Sequence, residues 1–429
     1  MIHWRKYDTI HSRKIKVIVL ENLRRGNKAL IKDINRALVL DQLRSYGPLS
    51  RTDIAKRTKL GLSTLTKITD DLIAQGMIKE IGEGDSSGGR RPVYLEFNSN
   101  YGYALGVKIE ERRIILALTN LQAEVLEKSY IDYSPGAPAD EVIGALIQGI
   151  SKMMDKNKFL VHRWLGIGIA VSGLVDKNSG CLIFSTLLGW GEVPFRRILQ
   201  GKFPVPIIVD NDVNAYALAE LAYGYGREVG NFILATIGVG IGAGLVLDGK
   251  IFRGEFGGAG EIGHMVIYGK GNSCYCGRRG CLEAHAGEKF IVNETKRLLT
   301  QEKDSILYGE RSTLTFARVL KAAEDGDCCA RQAFWTAGYN LGIGLVNLIN
   351  IMNPATIILA GESMSGQEFL LCGIRELLQT NFFTKYQEKF DLRVSALGDD
   401  AWERGAAILV INEHFREPIY RGQRTVYSM

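Results

Sequence analysis

Three cysteines and a histidine are spaced His264-x9-Cys274-x-Cys276-x4-Cys281. Three thiolates and one imidazole form a closed four-donor set, which suits structural Zn2+. Gly277 and Gly280 lie inside the loop and let it fold around an ion. No coordination position remains for water, so metal catalysis is not expected. The alternative is a cluster of free thiols beside an unrelated histidine. An odd cysteine count, with three crowded together, favours metal over disulfides. Cys181, Cys328, Cys329 and Cys372 have no such spacing and read as small core residues.

A second group surrounds Val209-Asp210-Asn211-Asp212-Val213-Asn214, which follows the apolar run Pro206–Val209. Carboxylates and amides at a strand end, just before an Ala-rich helix at 215–222, are where α/β folds place ligand groups. Such groups can hydrogen-bond sugar hydroxyls in pairs. An Asx-rich turn that only caps the helix is the competing reading. Glu261 precedes His264 by three residues and Glu283 follows Cys281 by two, so both are tied to the metal loop. Carboxylates on a metal-stiffened loop suit a polyol site. Side chains on a solvated loop are the alternative.

These groups need elements to hold them. From Gly102 three strands run in succession, 103–109, 114–119 and 123–132, then a helix at 142–154 and a strand at 164–171. From Asn231 the order returns: strands at 232–237, 242–247 and 250–252, a helix at about 330–350 and a strand at 356–360. A unit of three strands, helix and strand thus occurs twice. Duplicated lobes around a cleft describe the actin-like, sugar-kinase type of α/β fold. In that fold the first hairpin of each lobe cradles phosphates. The second-lobe hairpin has alternating Gly238, Gly240, Gly242 and Gly244, so backbone N–H groups could approach an anion, or the turn could simply pack tightly. The first-lobe hairpin, Lys108-Ile109-Glu110-Glu111-Arg112-Arg113, has no glycine and two carboxylates that repel phosphate.

Charge sets the N-terminal part aside. Residues 1–92 carry 19 Lys/Arg against 10 Asp/Glu, while the remainder is slightly acidic within an overall +6. A basic head on a near-neutral body is an electrostatic footprint for nucleic acid. Asn35 is a candidate cap for a helix carrying Ala37, Leu40 and Leu43, stopped at Gly47-Pro48. Ser50 with Asp53 gives capping-box spacing for a second helix, which buries Ile54 and Ala55 and ends near Leu60-Gly61. Ser63 opens a third, with Leu65, Ile68 and Leu72 on one stripe and Thr64, Thr66 and Lys67 facing away. Helix, short turn, helix is the helix-turn-helix pattern, and hydroxyls with a lysine at the start of its second helix suit the major groove. Two β-like runs, 77–81 and 92–97, flank a Gly/Ser-rich tip and Arg90-Arg91, the shape of a wing whose arginines reach phosphates or a minor groove. A helical protein-interaction domain is the competing reading. Residues 1–32 are basic and read as a helix or a loose arm.

Gly88-Gly89-Arg90-Arg91-Pro92, Asn211-Asp212-x-Asn214-Ala215, Glu261-x-Gly263-His264 and Cys274-x-Cys276-Gly277-x-x-Gly280-Cys281-x-Glu283 occur in this order. Together they resemble the ROK family (repressors, open reading frames, kinases) in its winged-helix repressor branch, from about residue 30 to 415. The wing and its surroundings look closest to the xylose-type repressors. The resemblance implies a winged helix at 1–97, a first lobe at 98–225, a second lobe with the zinc loop at 226–401, and a segment 402–429 whose helix returns to the first lobe. It implies sugar contacts from Asn211, Asp212, Glu261, His264 and Glu283, with His264 serving zinc as well. It also implies a homodimer or homotetramer. In family kinases the residue matching Asp212 is the catalytic base. Here the family's Asp-x-Gly-Gly-Thr-Lys phosphate loop is replaced by residues 108–113, Val239 stands where kinases usually carry Thr, and Thr186 stands where many members carry Asn.

Composition is that of an ordinary globular chain, 46% apolar and 23% charged, which excludes disordered, collagen-like and disulfide-scaffold proteins. No apolar run approaches the roughly 20 residues that span a bilayer, so a cytoplasmic protein is expected. The reading is a non-enzymatic, sugar-responsive repressor of a carbohydrate operon. Ser63, Thr64, Thr66, Lys67, Arg90 and Arg91 meet operator DNA, and xylose is the first candidate inducer. A sugar kinase with a DNA-binding head, and a repressor governed by a protein partner, are the rivals.

Overall fold

The computed structural model describes residues 27–83, 91–380 and 390–415. The chain divides into two units, one of residues up to Tyr101 with the chain end from His414, the other Gly102–Glu413.

In the first unit, helix α1 (Lys28–Tyr46) starts earlier than the sequence predicts. Its cap is Asn27, whose side chain accepts the Leu30 N–H at 2.8 Å, and Asn35 lies inside the helix. Nothing between 28 and 35 breaks a helix, so it extends back to the first side chain able to satisfy its free N–H groups. Gly47 ends it at φ +77. Strand β1 (Leu49–Ser50) leads into α2 (Arg51–Thr58), where Ser50 and Asp53 form the expected reciprocal capping box. This helix stops at Lys59 in the left-handed conformation, shortly before the predicted end, with Ile54 buried and Ala55 half-buried. Helix α3 (Leu62–Ala74) is capped by Gly61 rather than Ser63, without a side-chain bond. Leu65, Ile68 and Leu72 are buried as the stripe requires. Strands β2 (Ile78–Glu83) and β3 (Val93–Phe97) pair antiparallel, with β1 on the outer side of β3.

The second unit holds two five-stranded sheets. Strands β4 (Tyr103–Ile109), β5 (Arg113–Asn120) and β6 (Val125–Asp132) are antiparallel neighbours, and helix α4 (Ala139–Lys156) crosses to β7 (Trp164–Val171). A small hairpin of β8 (Leu174–Asp176) and β9 (Cys181–Phe184) follows, then α5 (Phe195–Gln200), β10 (Ile207–Asn211) and α6 (Asp212–Tyr223). The sheet order is β10-β7-β4-β5-β6, with β7 parallel to both β4 and β10.

The second sheet starts with β11 (Phe232–Ile237), β12 (Ile241–Leu247) and β13 (Lys250–Phe252). Helices α7 (Glu283–Ala286), α8 (Glu288–Leu298), α9 (Phe316–Glu324) and α10 (Cys328–Met352) precede β14 (Thr356–Ala360), α11 (Gln367–Thr380), β15 (Asp391–Val394) and α12 (Ala401–His414). Its order is β13-β12-β11-β14-β15, again two antiparallel and two parallel pairings. The two sheets therefore share one internal order, third, second, first, fourth, fifth, which is the duplication the sequence pattern indicates.

Each sheet has its own apolar core. Helix α12 lies on the first sheet, where glycines on adjacent strands let its backbone in. A Cβ on Gly106 would meet the Glu403 carbonyl oxygen at 2.0 Å, and one on Gly168 would meet that of Ala406 at 1.8 Å. Cys181 and Cys329 are buried as predicted, but Cys328 and Cys372 are exposed. Cys328 opens α10 and Cys372 sits on the outer face of α11, so spacing alone did not reveal their burial. Among the described residues no helix is long and apolar enough to cross a membrane.

Candidate functional site

A cleft cavity of about 1670 Å³ is lined by both lobes of the second unit. Of the metal-type residues, His264 and Cys276 line its second-lobe wall, with Cys274 and Cys281 behind them. His264, Cys274, Cys276 and Cys281 bring their donor atoms within 4.8 Å of one another, the one such group found among the described residues. Cys276 Sγ is 3.7 Å from Cys281 Sγ, and Cys274 Sγ is 3.7 Å from His264 Nδ1. Tetrahedral Zn–S bonds of about 2.3 Å put sulfurs roughly 3.8 Å apart, so the donor set fits zinc. Gly280 makes this loop possible: its φ is +77, and a Cβ there would lie 1.7 Å from the Tyr268 carbonyl oxygen. Burial pushes the Cys274 thiol up to about 12 and lowers the pKa of His264. Burial also opposes ionisation of Cys276, yet the Arg278 backbone N–H and side chain bring it down to about 7.

The polyol-type residues face the same cavity. Asn211 caps α6: its Oδ1 accepts from Val213 N at 2.9 Å and Asn214 N at 3.2 Å, and its Nδ2 donates to the Gly173 carbonyl at 3.0 Å. The capping turn is therefore real, and it coexists with placement on the cleft wall. Asp212 opens α6. Burial raises its carboxyl to about 6, against the pull of Lys108. Glu283 is buried at the start of α7, where Oε2 accepts Ile241 N–H at 3.0 Å and the Tyr275 hydroxyl at 3.2 Å. Burial raises its pKa as well. Glu261 is solvent-exposed on the cavity wall, and desolvation by the surrounding walls, then the Asp212 charge, raise its pKa. Asn211, Asp212, Glu261, His264 and Glu283 thus converge on one cavity, as does Thr186.

The opposite half of the cleft is built from the first-lobe hairpin. The buried Lys108 ammonium lies 2.9 Å from Glu110 and 3.9 Å from the centre of the Trp402 ring. It is also 3.7 Å from Glu362, which follows β14 in the other lobe. Glu362 stands against the glycine hairpin, for a Cβ on Gly238 would lie 2.3 Å from its Oε2. Glu403, fully buried on α12, has no hydrogen-bond partner for either carboxylate oxygen and sits 3.5 Å from Lys128.

In the first unit, Ser63, Thr64 and Lys67 are exposed on α3 and Thr66 is half-buried, its hydroxyl donating to Leu62 O at 2.9 Å. Arg91 is exposed just before β3. Arg90, most of the wing tip and the basic residues 1–26 lie outside the described residues.

Several groups were not singled out from sequence. Tyr275 stands between Cys274 and Cys276. Lys108 and Glu362 lie 362 − 108 = 254 positions apart in sequence and meet only across the cleft.

Two lobes of one strand order around a cleft, with a His/Cys3 loop on one wall, define an actin-like α/β protein of the sugar-kinase type, preceded by a winged helix. The ROK family profile matches residues 104–413. The chain is 35% identical over 397 residues to the xylose repressor of Caldicellulosiruptor bescii, spanning 92% of this chain and 100% of that one. A solved ROK family transcriptional regulator, a homolog of the Escherichia coli MLC protein, superposes with a TM-score of 0.79 at 29% identity, covering 90% of this chain and 97% of its own. A Streptomyces griseus ROK glucokinase solved with glucose and AMPPNP gives 0.64 at 25% identity, covering 72% of this chain and 99% of its own. The chain belongs to the ROK family.

Proposed function

We propose that this protein is a sugar-responsive transcriptional repressor of a carbohydrate-utilisation operon, with a sugar bound in the cleft as inducer. One observation carries this reading: the cleft keeps a converging set of carboxylates and amides on one side, while the other side is occupied by the chain's own Lys108 and Glu362. The relatives support it, since the C. bescii protein is a xylose repressor and the structural neighbour a transcriptional regulator. D-xylose is the first inducer to try.

Asn211, Asp212, Glu261 and Glu283 accept or donate hydrogen bonds to sugar hydroxyls, and His264 offers the face turned from the metal loop. Charged acceptors make such bonds worth about 1.5–3 kcal/mol each. His264, Cys274, Cys276 and Cys281 hold a structural Zn2+, which staples the loop bearing Glu261 and Glu283 and takes no part in chemistry. The protein is not an enzyme. A phosphoryl donor would need the space and charge that Glu362, Glu110 and Lys108 occupy, and Asp212 has nothing to transfer.

Helix α3, through Ser63, Thr64, Thr66 and Lys67, reads operator DNA in the major groove, and Arg90 and Arg91 of the wing contact its backbone or minor groove. The protein acts in the cytoplasm as a homodimer or homotetramer on a palindromic operator. A swing from 1:99 to 99:1 between bound and free states requires sugar to favour one state by about 5.5 kcal/mol.

The test is modular. Operator affinity by fluorescence anisotropy should fall in Lys67→Ala and Arg91→Ala, while sugar affinity by calorimetry stays at the wild-type value. Parallel loss of both in either variant contradicts the reading.

A further inference from the structure

Arg253 follows β13 of the second lobe and opens the segment that leads to Glu261 and His264. Its guanidinium crosses to the first lobe, where Nη2 and Nε donate to Asp210 Oδ2 at 2.6 and 2.9 Å. The Arg253 Nη1 donates to its own lobe, to Ile251 O at 3.2 Å. Asp210 is 2% exposed. Its other oxygen, Oδ1, accepts from Asn211 N at 2.9 Å and Asn214 Nδ2 at 3.3 Å.

One carboxylate therefore divides its two oxygens between lobes. Oδ1 shapes the turn that presents Asn211 and Asp212, and Oδ2 is held by the segment that presents Glu261. The same segment touches the first lobe again farther on, where a Cβ on Gly257 would meet the Val175 carbonyl oxygen at 2.4 Å. Neither Arg253 nor Asp210 lines the cavity, so neither is placed to touch a ligand. A carboxylate this deeply buried is costly without its partner, so moving the Arg253 segment must disturb the Asp210 side chain and the turn it organises.

We propose that Arg253 is a positioning residue for polyol recognition: through Asp210 it fixes the spacing between the Asn211–Asp212 turn of one lobe and the Glu261–His264 segment of the other. The two halves of the site then form a single recognition surface before any ligand arrives. This proposal rests on the sugar reading of the cleft.

The experiment uses the full-length protein as wild type, Arg253→Ala, Arg253→Lys, Asp210→Asn and a control that removes the second-lobe Arg318–Glu310 pair, Arg318→Ala. Amide hydrogen exchange is followed without ligand. Calorimetry uses D-xylose, D-glucose and N-acetyl-D-glucosamine. Arg253→Ala and Asp210→Asn should speed exchange at residues 211–214 and 254–264 by tenfold or more and weaken the bound sugar at least tenfold. Arg253→Lys keeps the charge but loses the second donor. It should recover the wild-type unfolding temperature and only part of the sugar affinity. Arg318→Ala should change neither readout. Unchanged exchange in both segments overturns the proposal, as does wild-type sugar affinity in Arg253→Ala. If wild-type protein binds none of the three sugars, the function reading fails for them, and the exchange data alone decide whether Arg253 ties the two segments.

Discussion

The first hairpins of the two lobes occupy equivalent places in equivalent sheets, yet they have opposite chemistry. The second-lobe hairpin, between β11 and β12, keeps Gly238 and Gly240, with Gly242 inside β12, and Gly238 N–H donates to Gly240 O at 3.0 Å. The first-lobe hairpin, between β4 and β5, carries Glu110, Glu111, Arg112 and Arg113 and closes on itself, with Glu110 N–H donating to Arg113 O at 2.9 Å. The glycine hairpin is not left to solvent, because Glu362 lies against Gly238 and faces Lys108 across the cleft. An internal Lys108–Glu362 ion pair thus stands on one side of the cleft, beside the wall that carries Asp212, Glu261 and Glu283. If the proposed function holds, the contrast is that of a kinase-type scaffold that keeps ligand recognition and dispenses with phosphoryl transfer.

The largest effect should come from the loop of His264, Cys274, Cys276 and Cys281, which lies between Glu261 and Glu283 in sequence. In Cys276→Ser, or after chelation, bound zinc should fall from about one per chain to near zero by elemental analysis. Stability should drop by on the order of 4 kcal/mol, since metal loss belongs to the severe class of lesions. Wild-type protein purified with far less than one metal per chain contradicts this account.

Asp212→Asn sharpens the contrast from the sugar side. Losing a charged acceptor should cost about 1.5–3 kcal/mol of sugar affinity by calorimetry, roughly 10- to 150-fold. It should also stabilise the ligand-free protein at pH 8. Burial raises the Asp212 carboxyl to about 6 in the folded protein, against 3.8 for a free aspartate, so its ionisation costs stability above pH 6 and nothing below 3.8. The stabilisation by Asp212→Asn should therefore vanish as pH falls through that window.

The same carboxyl links the two halves of the cleft. Sugar affinity should fall as pH drops through about 6, because Asp212 then loses its charge. The Lys108 charge lowers that pKa and the Glu362 charge raises it. In Lys108→Ala the midpoint should move up, and in Glu362→Gln it should move down. Identical pH profiles in wild type and both variants would mean that the Lys108–Glu362 pair does not influence Asp212.

The smallest effect belongs to the winged helix. Lys67→Ala removes one exposed cation from α3. If it contacts a phosphate, the slope of log affinity against log salt for operator DNA should fall by about one.

Much of this organisation was legible in the sequence. The inner strands β4, β7, β11 and β14 are near-continuous apolar runs, broken only by Lys108, Thr236 and Thr356, as buried parallel neighbours require, and their ends were read closely. The His/Cys3 group was legible because its four donors are local in sequence, with Gly277 and Gly280 supplying the positive φ angles its turns take. The start of α1 was misread because Asn27 and Asn35 are equally good caps in isolation, and only the packed helix selects between them. The Arg253–Asp210 and Lys108–Glu362 pairs were invisible for a different reason. Each joins residues from different lobes, and single-sequence periodicity carries no information about which charges meet across a cleft.

The most direct test is fluorescence anisotropy of the protein on DNA from its own upstream region, at fixed salt, titrated with D-xylose and then other free and phosphorylated sugars, with and without ATP. The account predicts that one sugar releases the DNA, that ATP changes nothing, and that no sugar-dependent ATP turnover accompanies release. DNA binding that no sugar alters, or release that needs ATP hydrolysis and disappears in Asp212→Asn, would contradict it.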